Sequence, residues 1–123
     1  MAYAGYRDLH VYQLAFNAAM EIFHASKSFP PEERFSLTDQ ARRSSRSVAA
    51  NLAEAWRKRR YPKLFVSKLT ECAAEASETE VWLEMALACG YISNSQHEHL
   101  MKADARIHGM LHSMIQQPEK FTG

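Results

Sequence analysis

The segment EIFH, Glu21 to His24, has the Glu-x-x-His spacing with which some helical proteins hold pairs of iron ions. Such a centre takes two copies of the motif and two further carboxylates, all turned inward. One copy exists here, and on a helical wheel it points outward. His108 and His112 lie four residues apart and share a helix face. Without a third ligand such a pair is weak zinc chemistry, and it reads as a titratable surface feature. Ser44, Ser45 and Ser47 have no obvious paired base, and Cys72 falls on an apolar stripe where a thiol packs rather than attacks. The sequence has no phosphate-cradling GxxxxGKS/T, no dinucleotide-binding GxGxxG and no nucleophile-elbow GxSxG. The expectation is a non-enzyme without cofactor or metal.

Positive charge is the stronger signal. Residues 42–60 read RRSSRSVAANLAEAWRKRR, seven arginines and lysines against the single acid Glu54, in a chain of net charge +1. Beyond Lys68 the sign reverses: Glu71, Glu75, Glu78, Glu80, Glu84 and Glu98 follow with no Lys or Arg before Lys102. On a helical wheel Arg42, Arg46, Arg57 and Arg60 share one flank, with Ala49 and Ala53 between them. Arg43, Ser47, Ala50 and Glu54 fall opposite the apolar stripe. Two uses of this charge stay open. Arg42, Arg43, Arg46, Arg57, Lys58, Arg59, Arg60 and Lys63 could follow a phosphate backbone of RNA or another nucleic acid. Alternatively they meet the acidic helix, within one chain or on a neighbouring subunit, in a protein-interaction scaffold where nucleic acid plays no part. Exposed pairs of that kind contribute only ~0–1 kcal/mol each.

Helices must position these groups. The chain has 123 residues, 46% apolar and 24% charged, with four Gly and four Pro. That suits one helical domain with one modest core. The first helix is expected at about 9–26, capped by Asp8, with Tyr12, Ala15, Phe16, Ala19, Ile22 and Phe23 on its inner face. Pro30 and Pro31 end that pattern. The second, about 37–60, opens on a Ser36–Asp39 capping box and carries Leu37, Ala41, Ser45, Val48, Leu52, Ala55 and Trp56 as its stripe. Tyr61-Pro62 separates it from the third, about 62–89, with the stripe Phe65, Leu69, Cys72, Ala76, Thr79, Leu83 and Leu87 and a terminating Gly90. The fourth, about 95–117, opens on a Ser95–Glu98 box and carries Leu100, Ile107, Met110, Leu111, Met114 and Ile115. Short connections then make a single-domain all-α fold, an antiparallel up-down four-helix bundle.

The third helix has a second apolar stripe, Trp82, Met85 and Cys89, beside Glu75 and Glu78. A bundle of this size buries one side of each helix, so a Trp on another side marks an association surface. Ala49, Ala53, Glu75, Glu78, Trp82 and Met85 are the expected contacts of a ring-like homo-oligomer. Cys72 and Cys89 on one helix stand roughly 25 Å apart, far beyond the ~7 Å limit for a disulfide. Free thiols suit a reducing cytoplasm. The N-terminus has no signal-peptide core, and no run is apolar enough to span a membrane.

The segments YRDLHVYQ (Tyr6 to Gln13), Phe29-Pro30, QARRSSRSVAANLAEA (Gln40 to Ala55) and SETEVWLEMALACGYIS (Ser77 to Ser93) together resemble a known family. It is the four-helix-bundle family first noted as proteins encoded in intervening sequences of bacterial 23S ribosomal RNA genes. Arg42, Arg43, Ser47, Asn51, Ala53 and Glu54 carry the most specific part of the match. The resemblance implies a compact antiparallel bundle and closed pentamers. It extends to the accessory proteins of diversity-generating retroelements, similar basic bundles that bind a reverse transcriptase and nucleic acid.

Overall fold

Apolar residues at helical spacing in four segments become four helices. The computed structural model describes residues 3–121, which contain α1 (His10–Ser26), α2 (Leu37–Arg57), α3 (Pro62–Ala88) and α4 (Asn94–Gln116), three short 3-10 turns and no strand. The ends of the helices follow local hydrogen-bond chemistry. Asp8 does not cap α1; its carboxylate accepts from the backbone N–H groups of Ala4 and Gly5 at 2.7 and 3.3 Å and closes the preceding turn. Leu9 takes the cap position. Ser36 does stand before α2, but its hydroxyl donates to Glu33 at 2.7 Å, and the Glu33 carboxylate receives the Leu37 N–H at 3.4 Å. Glu33 thus replaces the expected Ser36–Asp39 box. The α4 box is Ser93 with Gln96, two residues earlier than Ser95–Glu98. The Ser93 hydroxyl accepts from Gln96 N–H at 3.0 Å, and the Gln96 amide accepts from Ser93 N–H at 2.8 Å.

Helix α2 stops at Arg57, three residues short of the expected end. The N–H groups of Lys58 and Arg59 fold back onto Ala55 and Trp56 at 2.9 and 3.2 Å. This tightened last turn leaves Tyr61 extended before Pro62, the first residue of α3. At the other end of α3, Gly90 has φ +77°. Its N–H reaches Leu87 C=O and that of Tyr91 reaches Ala86 C=O, both at 2.9 Å, a Schellman ending. A Cβ on Gly90 would meet nothing within 4 Å. Gly90→Ala is therefore expected to cost only the left-handed backbone penalty, about 1–2 kcal/mol. Urea unfolding should show a lower midpoint with an unchanged slope.

Each helix packs on its neighbours in sequence, and α1 closes the ring against α4. Contacts run in opposite order along each pair. Arg42 near the start of α2 meets Ser26 at the end of α1, Arg43 meets Glu75 and Glu78, and Lys68 meets Asn51 and Glu54. Glu21 late in α1 meets His99 early in α4. The arrangement is an antiparallel four-helix bundle. Among the described residues no helix is long and apolar enough to cross a membrane.

All seven expected stripe residues of α2 are buried. On α3 Ala86 takes the inner place expected of Leu87, which is half-buried. On α1 the inner face is rotated: Val11, Ala15, Ala19, Ile22 and Ser26 are buried, Phe16 is half-exposed, and Tyr12 and Phe23 are partly covered. Small side chains let α1 sit close to its neighbours, and the rings move to its flanks. Cys72 and Cys89 are free thiols. Burial pushes the Cys72 thiol up to about 12, so it packs as an inert group.

The core is divided. One apolar cluster gathers Leu52, Trp56, Phe65, Leu69, Leu111 and their neighbours, and the other gathers Ile22, Phe29, Leu37, Leu83, Leu100 and theirs. Between them lies a polar layer. Ser44 and Thr79 share a hydrogen bond of 2.8 Å across α2 and α3, Ser45 donates to Ala41 C=O, and Asp104 enters from α4. A water-sized void of about 10 Å³ is lined by Ser45, Thr79 and Asp104 among apolar groups.

Candidate functional site

The basic residues of α2 divide by partner. Arg43 does not face away from the bundle; it reaches α3, with Nη1 at 3.2 Å from Glu75 and Nη2 on Glu78. Its hydrogen bond holds the Glu78 carboxyl below the usual carboxylate range. The Trp82 indole N–H adds a bond to the same oxygen at 3.3 Å. On the same α2–α3 flank, Lys68 pairs with Glu54 at 3.3 Å and Glu71 at 3.1 Å and donates to Asn51. Charge complementarity between α2 and α3 therefore operates inside one chain, through two cations.

The other candidates make no ion pair with a described residue. The Arg42 Nε donates to Ser26 Oγ at 2.7 Å while its guanidinium covers Phe23 at 4.9 Å, and Arg46 stands 5.7 Å from the same ring. Arg59 lies 4.1 Å over Trp56 and donates to its C=O. Arg57, Lys58, Arg60 and Lys63 pair with no carboxylate among the described residues. Because α2 ends at Arg57, Lys58 to Arg60 sit on the turn rather than continuing the helical ridge.

Exposed aromatics stand among these cations at both ends of α2. An open groove of about 530 Å³ is lined by Arg34, Phe35, Asp39, Arg42, Arg43 and Arg46. Phe35 is 84% exposed, with the Arg34 guanidinium 5.1 Å from its ring. At the far end Tyr61, 58% exposed, sits between Arg60 and Lys63 in the chain. Sequence reasoning missed Arg34 and Phe35, which lie in the PPEERF breaker beside two glutamates. The available signal was an arginine–aromatic pair next to the basic run.

The association candidates also divide. Ala49 packs on the apolar core and Ala53 is half-buried. Glu75 and Glu78 are engaged by Arg43. Trp82 packs partly on the second apolar cluster, while Met85 remains 48% exposed beside exposed Val81.

The histidines are placed differently from the expectation. Glu21 contacts His99 Nε2 at 3.0 Å on the surface, away from any second Glu-x-x-His. His108 does not pair with His112; it turns to Glu80, 3.0 Å away on α3, and Asp104, 3.4 Å away on α4. Asp104 is 5% exposed. Burial, with the neighbouring Glu80 carboxyl, holds its own carboxyl above the ordinary range. Its place was legible in principle: Leu100, Asp104, Ile107 and Leu111 follow the 4-3-4 spacing of one face.

Four antiparallel helices, a polar layer across their core and a cation-lined second helix define a small four-helix-bundle protein. The chain belongs to the family of 23S rRNA-intervening sequence proteins, whose profile matches residues 7–113. It is similar to a crystallised protein of unknown function from the S23 ribosomal protein family of Bacteroides thetaiotaomicron. That similarity is 31% in sequence with a TM-score of 0.77, covering 85% of this chain and 97% of the other. No curated protein matches the chain.

Proposed function

We propose that the protein is a non-enzymatic, cytoplasmic accessory protein that assembles as a closed homo-oligomer and holds RNA along α2. The family resemblance points to a ring of five. The observation that carries RNA binding is the groove lined by Arg34, Arg42 and Arg46 together with the exposed Phe35. Cations that track phosphates beside an aromatic platform are the parts of a single-strand site with little sequence choice. Self-association is supported by exposed apolar side chains on two helices, Phe16 and Met20 on α1 and Val81 and Met85 on α3.

The scaffold reading needs α2 cations to meet acids of a neighbouring subunit. Glu75 and Glu78 already serve Arg43 of their own chain, and Glu71 serves Lys68. That use leaves the outer cations available to another partner.

Nuclease-treated protein titrated with a generic single-stranded RNA across a salt series tests the proposal. Four phosphate contacts, from Arg42, Arg46, Arg57 and Arg60, give a slope of log affinity against log salt of about −3, or roughly a 50-fold loss between 50 and 200 mM. The mass, followed in the same samples, should stay that of one oligomer. An intact oligomer that ignores RNA at low salt would return the surface to the scaffold reading.

A further inference from the structure

Glu80, Asp104 and His108 bring three donor atoms together at the boundary of the buried polar layer, all within 4.8 Å of one another. We propose that these residues form a binding site for one divalent transition-metal ion of the zinc class. Two observations carry it independently.

The first is geometry. Ligands about 2.1 Å from one ion lie about 3.0 Å apart at right angles and about 3.4 Å apart at the tetrahedral angle. His108 Nε2 stands 3.0 Å from Glu80 Oε2 and 3.4 Å from Asp104 Oδ2. Asp104 and His108 are one helical turn apart on α4, and Glu80 reaches them from α3. The donors need little rearrangement to face a common centre. One imidazole and two carboxylates suit zinc and its neighbours in the first transition row, rather than calcium or magnesium, which take all-oxygen shells.

The second is the state of Asp104. Its Oδ2 is buried and has no hydrogen-bond partner. The 3.4 Å contact with His108 lies within ion-pair range but is not aligned as a hydrogen bond. A buried carboxyl oxygen without a partner is costly, and Glu80 stands beside it as a second acid. A divalent cation would satisfy the orphan oxygen and offset both carboxylates at once. Glu80 and His108 are only half-buried, so an ion could enter from that side and keep water in its remaining positions. The sequence hid this set because Glu80 lies on a different helix from Asp104 and His108, and His108 was read only beside His112.

The experiment is zinc titration of chelator-stripped protein by calorimetry at neutral pH. One ion per chain is expected. Asp104→Asn, which preserves shape, and His108→Gln, at a half-exposed position, should each weaken zinc binding at least tenfold. His99→Gln, which removes the surface contact with Glu21, should leave it unchanged. Cobalt should show visible ligand-field bands in the wild type that vanish in the first two variants. No stoichiometric zinc uptake, or uptake that survives both Asp104→Asn and His108→Gln with helical content retained, would overturn the proposal.

Discussion

Phe65→Ala is expected to destabilise the protein by about 3–5 kcal/mol. Phe65 is fully buried, at 0% exposure, in the first turn of α3. It belongs to the same apolar cluster as Leu9, Leu52, Trp56 and Leu69, and Phe121 approaches its ring at 6.1 Å between centroids. Loss of the ring removes both transfer energy and the contacts of a cluster assembled from all four helices. A domain of this kind has only about 5–15 kcal/mol in total, so the variant should lie close to unfolding at body temperature. Urea denaturation checks this, with both proteins held at one fixed concentration so that the proposed self-association does not enter the comparison. Phe35→Ala is the control: its ring is mostly in solvent and should change stability by no more than about 0.5 kcal/mol. Equal effects of the two substitutions would mean that the apolar cluster is not the centre of stability.

That contrast between two phenylalanines shows where the sequence was legible. The stripe of α2 was readable because its apolar residues are large and its charges abundant, so the two faces differ sharply. On α1 the sizes mislead. Phe16 and Phe23 outweigh Ala15 and Ala19 in any hydrophobic sum, yet the narrow interior takes the alanines. Phe23 instead gives its face to Arg42 and Arg46. The α4 cap was misread by two residues because a Ser-x-x-Gln and a Ser-x-x-Glu spacing overlap in SNSQHE, and only the fold decides which one starts the helix. The end of α3 was plain, since Gly90 alone could take its positive φ cheaply.

The candidate sites were legible in proportion to how local they are. Seven cations in one segment announce themselves in one dimension. The division among them does not: Arg43 is held by α3, Arg42 leans on α1, and Phe35 joins from the preceding loop. Asp104 is harder still. Its place on the inner face of α4 can be read and His108 lies one turn on, but Glu80 joins them only through the fold.

Arg46→Glu with Arg57→Glu, and Phe35→Ala separately, should weaken RNA binding in two distinguishable ways. Arg46 and Arg57 lie eleven residues apart on one flank of α2, roughly 16 Å along its axis. In the proposed site each makes one phosphate contact, and losing each should reduce the salt slope by about 1. The double reversal also adds two negative charges to the path of the strand. Affinity should fall by at least tenfold at low salt and approach salt independence. In the same proposed site Phe35 offers a stacking face, and its loss should cost about 1–3 kcal/mol per base, or roughly 5- to 150-fold. Its removal should leave the slope unchanged, because no counterion is released by stacking. A single titration series therefore reports each part: slope for the arginines, intercept for the ring. If the double reversal instead breaks up the oligomer, these cations are assembly contacts between subunits. If Phe35→Ala binds as the wild type does, the strand bypasses the groove and runs along the far end of α2 beside Tyr61.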